Sequence, residues 1–272
     1  MTQPTTAAAE PDRRRLQLAE LSVLDDFTRL CARHRLRYYL AYGTLLGAVR
    51  HGGFIPWDDD VDVAMPREDY RRLGALVAHE FGDRLTLQSH LSDAEFPYIF
   101  SKLVISDTSV RQAKDDGVLF ERKIGIDIFA LDGVPDARWA AYFRGALLRL
   151  LYVRLRARRR WHGRKRLVGW LLLAVPPRVL TWVYDVTTRM WPTSRTTKWV
   201  CPGPYRGRQT FPREWFADGA PIDFEGRRDL TGPAKPPEYL TRIYGDYMQL
   251  PPVEARVGHR IVSIDFGDQR VA

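Results

Sequence analysis

The stretch GTLLGAVRHGGFIPWDDDVDVAMPREDY, residues 43–70, decides the fold of this chain. It contains four aspartates within five residues, and apolar residues that belong in a core follow them at once. Within it, DVDVAM (60–65) alternates charged and apolar residues with the period of a β-strand, which places Asp60 and Asp62 on one face. We therefore predict a strand with carboxylates on one side and core residues on the other.

Two carboxylates on one strand face, about 7 Å apart, repel each other in a partly buried setting unless a cation lies between them. Hard oxygen ligands favour magnesium or manganese over zinc. Acid clusters are more often solvated loops, so the aspartates alone are weak support for a metal site. A calcium-binding EF-hand is excluded, because Val63 stands at its glycine position and Asp69 at its terminal glutamate position.

Helices and strands are predicted to alternate around this stretch. Residues 13–35 have the apolar spacing of an amphipathic helix, and a proline followed by acids indicates another helix over 66–81. Short apolar runs predict strands at YYLAY (38–42), RLTLQSH (84–90), YIFSKLVI (98–105) and IGIDIFAL (124–131). The alternation predicts an α+β fold, in which helices flank a mixed β-sheet.

Positive charge is concentrated in one part of the chain. The formal net charge of the 272 residues is +9, and residues 137–184 contain twelve Lys or Arg and no Asp or Glu. We expect four parts, the first of them too polar to build a core. They are a disordered tail (1–12), a catalytic core (13–135), a basic helical insertion (136–200) and a C-terminal segment that completes the catalytic domain (201–272).

The basic insertion has two interpretations. RLRARRRWHGRKR (154–166) carries eight Lys or Arg in thirteen residues, and the apolar run that follows, 167–177, is too short to span a bilayer. Trp182 and Tyr184 are aromatic residues of the kind that settle at bilayer interfaces. Residues 154–184 therefore form an anchor on an anionic membrane surface, a helical subdomain that packs on the core, or both.

Cysteine usage and the N-terminus indicate the compartment. Cys31 and Cys201 are far apart in sequence, and neither belongs to a Cys-x-x-Cys motif or a Cys/His cluster. A disulfide framework and a zinc site are therefore not expected, and a reducing compartment is the default. The N-terminus has no signal-peptide pattern. We expect a cytoplasmic protein, peripheral on the inner face of the cytoplasmic membrane if the insertion binds lipid.

Two further features point to phosphate chemistry. Gly43 and Thr44 follow a predicted strand and precede a short helix, so their backbone N–H groups either face a phosphate or belong to a plain turn. Asp127 stands between two isoleucines of a predicted strand, where an acid is costly unless it is paired or metal-bound. The order of glycine turn, alternating acids and a later apolar-flanked acid resembles the nucleotidyltransferase superfamily, which implies a nucleotidyltransferase-like fold.

The whole pattern is similar to that of the LicD family. The segments that carry this resemblance are residues 43–70, Lys102, GIDIFALDG (125–133), YGDYMQLPP (244–252) and His259, in that order. The family includes bacterial choline phosphotransferases that act on lipopolysaccharide and teichoic acid and, more distantly, fukutin and the fukutin-related protein. The resemblance implies a Mg²⁺- or Mn²⁺-dependent phosphotransferase. It would move phosphocholine or a polyol phosphate from a CDP-activated donor to a hydroxyl of a cell-surface or lipid-linked glycan and release CMP.

The resemblance also implies roles for individual residues. Asp60, Asp62 and Asp127 are expected to be catalytic, and these three with Asp58 are expected to ligate the metal ion. Asp127 would act either as a ligand or as the base that takes the acceptor proton. The residues expected to bind the donor are Gly43, Thr44, Arg50, Trp57, Lys102, Tyr247 and His259.

The sequence leaves several interpretations of individual residues and of the activity open. Lys102 either neutralises the leaving group or is an edge lysine that extends to solvent, and Trp57 either stacks on a base or packs, of which packing is favoured. An alternative activity is transfer of a nucleoside monophosphate from a nucleoside triphosphate to a sugar or small molecule. A nucleic-acid-binding protein leaves the aspartates unexplained and lacks regularly interleaved aromatics in its basic run. No nucleic-acid partner is therefore expected.

Overall fold

The computed structural model describes residues 10–89, 96, 98–113, 119–157, 176–201 and 209–267. Within these ranges the helices are α1 (Glu10–His34), α2 (Tyr42–His51), α3 (Arg67–Phe81), α4 (Arg138–Ala157), α5 (Pro177–Met190) and α6 (Pro236–Tyr244). The strands are β1 (Tyr39–Leu40), β2 (Asp62–Pro66), β3 (Leu85–Gln88), β4 (Ser101–Ile105), β5 (Ser109–Ala113), β6 (Leu119–Arg122), β7 (Gly125–Val134), β8 (Lys198–Val200), β9 (Thr210–Pro212), β10 (Ala220–Phe224), β11 (Arg227–Gly232) and β12 (Arg260–Asp265). The predicted α+β class, with helices around a mixed sheet, is confirmed.

The central sheet has the strand order β1-β2-β7-β4-β3, and β8 and β9 continue it from the end of β7. Strands β2 and β7 run parallel, and the other neighbours are antiparallel. The long strand β7 is buried along nearly its whole length, as its apolar sequence requires. A second sheet contains β5, β6 and β12, and β10 pairs with β11 in a hairpin.

One row of residues across the central sheet brings the acids together. Asp62 on β2 is the partner of Asp127 on β7, and Asp127 is the partner of Lys102 on β4. Residues that face each other on neighbouring strands project to the same side of a sheet. Three adjacent strands therefore present two carboxylates and one ammonium group side by side.

The predicted strand over residues 60–65 begins later than its sequence pattern indicates. Strand β2 starts at Asp62, so Asp60 lies in the preceding loop and the two acids do not share a strand face. The neighbouring strand β1 is only two residues long and pairs with Val63 and Ala64. The residues that precede β2 therefore have no strand partner on the β1 side. The loop retains one sheet-like bond, from the N–H of Asp127 to the carbonyl of Val61.

Three other boundaries also differ between the sequence-based prediction and the structure. Helix α1 begins at Glu10, before the predicted end of the tail at residue 12, and residues 1–9 lie outside the described ranges. Helix α2 begins at Tyr42, so Gly43 and Thr44 belong to its first turn instead of a turn before it. Strand β8 lies inside the predicted insertion, yet it pairs with β7 and belongs to the central sheet.

Helix α1 supplies a long stripe of the core. Leu16, Leu24, Phe27 and Cys31 recur at helical spacing and are all buried, and each fully buried Leu or Phe stabilises a fold by about 1.5–3 kcal/mol. Cys31 is a core residue, and neither cysteine forms a disulfide. Glu20 interrupts this stripe and is itself completely buried. A carboxyl group in that position requires a partner, which the functional site supplies.

Helices α4 and α5 dock on the core through a buried acid. Asp132 of β7 accepts a hydrogen bond from Arg67 Nε at 2.6 Å, and Arg144 Nη2 of α4 lies 2.9 Å from its other oxygen. Burial raises the pKa of Asp132, but the two guanidinium groups together hold it below its ordinary value. Tyr184 of α5 donates its hydroxyl to the same carboxylate. The expectation that Tyr184 sits at a bilayer interface is therefore wrong, because the side chain is buried.

Much of the predicted basic anchor, residues 158–175, lies outside the described ranges. For the parts on either side of it, α4 and α5 pack against the core, as the second interpretation of the insertion required. Across the ranges that the structure covers, none of the helices combines the length and the apolar character needed to traverse a bilayer.

Gly47 permits α2 to contact the loop that follows it. A Cβ atom at this position would overlap the carbonyl oxygen of Gly53 and lie 3.1 Å from the amide nitrogen of Ile55, and neither backbone atom can rotate away. We expect Gly47→Ala to lower the free energy of unfolding by about 1–3 kcal/mol, as overpacking does. Urea denaturation measures this loss.

Gly145 in α4 is the matched control, because no atom lies within 4 Å of a Cβ built on it. Gly145→Ala should leave the free energy of unfolding unchanged or raise it by about 0.5–1 kcal/mol, through helix propensity. Equal unfolding free energies for the two variants would contradict the close approach of α2 to its loop.

Candidate active site

Four carboxylates line one cavity of about 410 Å³ at the N-terminal ends of α2 and β2. They belong to Asp58, Asp60, Asp62 and Asp127, and His259 completes the polar part of the wall. The apolar part of the wall is formed mainly by the aromatic rings of Tyr42, Phe100, Phe129 and Tyr244. The structure thus brings together, around one space, all the acids that the sequence nominates as metal ligands.

A smaller cavity of about 200 Å³ adjoins the first and shares Asp60, Asp127 and His259 with it. Its remaining polar wall includes Lys102 and Arg122. The two cavities therefore differ in charge, since the first is lined mainly by carboxylates and the second adds two cations.

The three consecutive aspartates do not share one role. Asp58 and Asp60 line the cavity, whereas Asp59 turns away from it and is 1% exposed. The Asp59 carboxylate accepts hydrogen bonds from His259 Nδ1 at 2.7 Å and from Arg122 Nη2 at 3.2 Å. The middle acid thus holds the loop in place, while its two neighbours keep their carboxylates in the cavity.

The cavity carboxylates carry more negative charge than their surroundings neutralise. Burial, followed by the charges of Asp60 and Asp59, raises the pKa of Asp58 to about 8. Burial also raises the pKa of Asp60 and of Asp62, and the neighbouring acids, Asp127 among them, raise both further. Protons or a cation bound among these groups would relieve the repulsion.

The donor set fits a hard divalent cation. Buried carboxylate oxygens are the ligands that magnesium and manganese take in proteins. Among the described residues, no group of three or more His, Cys, Asp or Glu side chains is placed so that it could hold a metal ion as the side chains stand, so these carboxylates would have to move closer together around a cation. The cavity therefore offers the ligand chemistry, and the raised pKa values of Asp58 and Asp62 indicate that Lys102 and His259 neutralise its acids only in part.

Lys102 is paired with Asp127. Its ammonium group donates to Asp127 Oδ1, and the two side chains are 12% and 10% exposed. The ammonium also lies 5.9 Å from the ring centroid of Tyr98 and 5.6 Å from that of Phe100. The interpretation of Lys102 as an edge lysine extending to solvent is wrong, because β4 is an inner strand between β7 and β3.

His259 brings a positive charge to both cavities. The hydrogen bond to Asp59, together with the negative charge of that group, raises the pKa of His259 to about 9, so the imidazole is protonated at neutral pH. A Cβ atom on Gly258 would overlap the carbonyl oxygen of Trp57, so only glycine lets this segment approach the loop closely enough. The ring is half-exposed and remains accessible to a ligand.

A buried chain of ion pairs holds this arrangement. Arg122 of β6 bonds to Asp59 and, at 3.2 Å, to Glu20 of α1. Burial on its own raises the pKa of Asp59, but His259 and Arg122 lower it below the ordinary value. The chain links α1, β6, the aspartate loop and the C-terminal segment, so elements distant in sequence position one histidine.

Thr44 and Gly43 shape the acidic cavity from the first turn of α2. The Thr44 hydroxyl is buried and accepts a hydrogen bond from the N–H of Asp62 at 2.7 Å, so it fixes the start of β2 and does not line the cavity. The side chain of Thr44 therefore does not take the donor-binding role that the resemblance implies for this residue. A Cβ atom on Gly43 would lie 2.8 Å from Asp58 Oδ2, so glycine leaves that carboxylate its space.

Arg50, Trp57 and Tyr247 do not line either cavity, in contrast to their predicted role. Arg50 sits near the C-terminal end of α2 and donates to the carbonyl oxygen of Tyr247 at 3.2 Å. Trp57 packs against the core, and the guanidinium of Arg256 lies 5.6 Å from its ring centroid. Packing, the favoured reading of Trp57, is therefore what the structure shows.

Sequence reasoning missed several residues of the site. Phe129 stands two positions after Asp127 on β7, and Phe100 stands two positions before Lys102, just ahead of β4. The period of the predicted strands 98–105 and 124–131 could have revealed that each shares a face with its charged neighbour. Tyr244 belongs to the YGDYMQLPP motif, in which the resemblance implies a donor-binding role for Tyr247 instead. The partners of Asp59 come from β6 and the C-terminal segment, and no local pattern identifies them.

Asp58→Asn is expected to stabilise the protein in the absence of divalent cations. The pKa of Asp58 is raised from 3.8 to about 8, so the protonated carboxyl group favours the folded state and its ionisation opposes folding. The stability that the protonated group contributes is lost as the pH rises from 3.8 to about 8. Asparagine never ionises, so we expect it to raise the free energy of unfolding above about pH 8 by about 1–2 kcal/mol, with little change near pH 4. Thermal denaturation in EDTA at both pH values measures the difference. A variant less stable than wild type at the higher pH would contradict the charge repulsion.

The comparisons with known proteins agree on one family. Residues 35–129 match the family described as LicD/FKTN/FKRP, nucleotidyltransferase domain. The lipopolysaccharide cholinephosphotransferase LicD of Haemophilus influenzae is 32% identical over 262 residues, which cover 91% of this chain and 96% of that protein. The ribitol 5-phosphate transferases FKRP of mouse and human are 49% identical over 47 residues, 17% of this chain and 10% of each relative.

Proposed function

Since this chain belongs to the LicD family and is therefore a phosphotransferase, we propose that it transfers a phosphorylated alcohol from a CDP-activated donor to a glycan hydroxyl and releases CMP. The alcohol would be choline or a polyol, and the acceptor a cell-surface or lipid-linked glycan. The observation that carries this proposal is the convergence of four carboxylates and a protonated histidine on one cavity. The printed names of the relatives, a cholinephosphotransferase and ribitol 5-phosphate transferases, support the class of group transferred.

Asp58, Asp60, Asp62 and Asp127 would hold one or more magnesium or manganese ions, since their oxygens share the cavity. A bound divalent cation supplies charge neutralisation at the donor diphosphate and at the phosphorus under attack. The register of β2 against β7 supports a nucleotidyltransferase-like arrangement, because it places Asp62 beside Asp127 on neighbouring parallel strands.

The donor diphosphate has cationic and dipolar partners around the same space. His259 presents an imidazolium to both cavities, and Lys102 presents an ammonium to the smaller one. The first turn of α2, with Gly43 on the cavity wall, adds the positive end of a helix dipole. In an in-line displacement at phosphorus, charge spreads over the equatorial oxygens, so such positioned charges do most of the catalysis.

Asp127 has two roles open to it. As a ligand it would share the metal with Asp62, its neighbour across β2 and β7. As a base it would take the proton of the acceptor hydroxyl, and Lys102 would hold the carboxylate in place through the bond they share. The aromatic wall of Tyr42, Phe100 and Phe129 lies next to this group and could exclude water from the reacting atoms.

To test this proposal, the full chain is incubated with a glycan acceptor and with CDP-choline, CDP-ribitol or CDP-glycerol. Each reaction contains either Mg²⁺ or EDTA. We expect CMP release and incorporation of the alcohol phosphate with one of these donors, dependent on Mg²⁺. A parallel reaction contains CTP labelled at the α-phosphate. Labelling of the acceptor by CTP, with no CMP release from any CDP-alcohol, would instead establish nucleotidyl transfer and refute the proposal.

A further inference from the structure

The outward side of α4 carries large aromatic side chains that are exposed to solvent. Trp139 is 75% exposed, Tyr142 79% and Phe143 55%. Their spacing of three and four residues places them on one side of the helix. Soluble proteins seldom gather aromatic surface in this way unless it binds something.

These aromatic residues are not required to hold α4 in the fold. The opposite side of the helix already packs on the core through Ala140, Arg144 and Leu147, all of them buried. Arg144 reaches Asp132 of the central sheet from this inward side. The exposed side of α4 is therefore a surface in addition to the packing face.

Helix α5 adds apolar surface next to α4. Trp182 is 65% exposed and Val179 47% exposed. The two helices are neighbours, since the guanidinium of Arg144 lies 5.9 Å from the ring centroid of Tyr184 on α5. The exposed aromatic residues thus belong to one helical unit.

The charged side chains of α4 itself are of one sign. Arg138 and Arg149 are exposed on α4 and stand four positions before and seven positions after Tyr142, on the same side of the helix. The sequence contains no Asp or Glu between Ala137 and Tyr184. Aromatic rings with arginines and without acids are the side chains that settle at an anionic bilayer surface, whereas a protein interface ordinarily mixes both signs of charge.

We propose that the outward face of α4, defined by Arg138, Trp139, Tyr142, Phe143 and Arg149, docks on an anionic lipid bilayer. The aromatic rings enter the headgroup region, and the arginines bind lipid phosphates. Docking would hold the enzyme where a lipid-linked acceptor lies. Its use in catalysis rests on the proposed function, but lipid binding does not and is measured without turnover.

The test is flotation of the full chain with vesicles of one part phosphatidylglycerol to two parts phosphatidylcholine, and with vesicles of phosphatidylcholine alone. We expect binding to the anionic vesicles and much weaker binding to the neutral ones. The triple variant Trp139→Ser/Tyr142→Ser/Phe143→Ser should bind the anionic vesicles at least about tenfold more weakly. The double variant Arg138→Gln/Arg149→Gln should lose about tenfold in the same assay.

Leu119→Ser/Val253→Ser is the matched control, since these apolar side chains are 56% and 69% exposed and lie outside α4. It should bind as wild type does, and circular dichroism should show all variants folded. Binding of the triple variant equal to wild type would overturn the proposal. So would a wild-type dimer in solution that the triple variant abolishes, because the face would then be a contact between two copies of the chain.

Discussion

Asp62→Asn is expected to lower the rate of transfer by about 10³-fold, since a metal ligand supplies several kcal/mol of charge stabilisation in the transition state. Asn keeps the shape of the side chain but removes the charge that would bind the cation. The backbone N–H of residue 62 still donates to Thr44, so the start of β2 is preserved. Initial rates of CMP release at saturating donor and Mg²⁺ measure the effect.

The fold of this variant should be intact. Burial and neighbouring acids raise the pKa of Asp62 well above its ordinary value, so removing the charge does not destabilise the protein. We expect a melting temperature equal to or above that of wild type, and no further rise on adding Mg²⁺. Asp83→Asn, at an exposed acid, is the control and should keep full activity. Wild-type turnover by Asp62→Asn would refute the assignment of this carboxylate to the metal.

Arg122→Met should be the most destabilising of the substitutions proposed. It leaves the carboxylates of Glu20 and Asp59 buried without their shared counter-charge, a change that costs about 3–5 kcal/mol. Because Asp59 then also loses part of its support, His259 should be less well positioned and transfer should slow as well. Urea denaturation at neutral pH gives the stability, and CMP release gives the activity.

Arg111→Met is the matched control. Arg111 lies on β5, which pairs with the strand β6 that carries Arg122. Arg111 lies 4.0 Å from Glu121, and both side chains are 61% exposed, so its loss should change stability by less than about 1 kcal/mol. Adding Glu20→Gln to Arg122→Met should restore part of the stability, because burial raises the pKa of Glu20 well above its ordinary value even beside Arg122, and without Arg122 its ionisation in the folded state has no counter-charge. If both arginine variants lose the same stability, the buried ion-pair chain does not hold the site together.

The sequence predicts the central part of this fold well, for physical reasons. The helix over 67–81 and the strand around Asp127 have strong periodicity and clear ends, and both are found where the pattern places them. The nomination of Asp58, Asp60, Asp62 and Asp127 as one group agrees with the cavity that they line. Here a local pattern and the sheet register specify the same arrangement.

Other features depend on contacts that no local pattern encodes. Three identical neighbours, Asp58 to Asp60, separate into two cavity acids and one buried partner because Arg122 and His259 approach from distant segments. Strands β5, β6 and β12 were not predicted, and β12 comes from the other end of the chain to pair with β5. Arg50 belongs to the motif in sequence, but it lies at the far end of α2 from the acids, where it donates to the carbonyl oxygen of Tyr247.

Diffraction tests the central claim most directly. The claim is that these carboxylates bind a divalent cation and that this cation binds the donor diphosphate. Crystals would be grown with Mn²⁺ and CDP, and anomalous scattering would locate the metal. We predict a manganese peak among the carboxylates of Asp58, Asp60, Asp62 and Asp127, in contact with a diphosphate that also reaches His259. Bound CDP with no manganese among these residues, or with manganese held elsewhere, would contradict this account of the site.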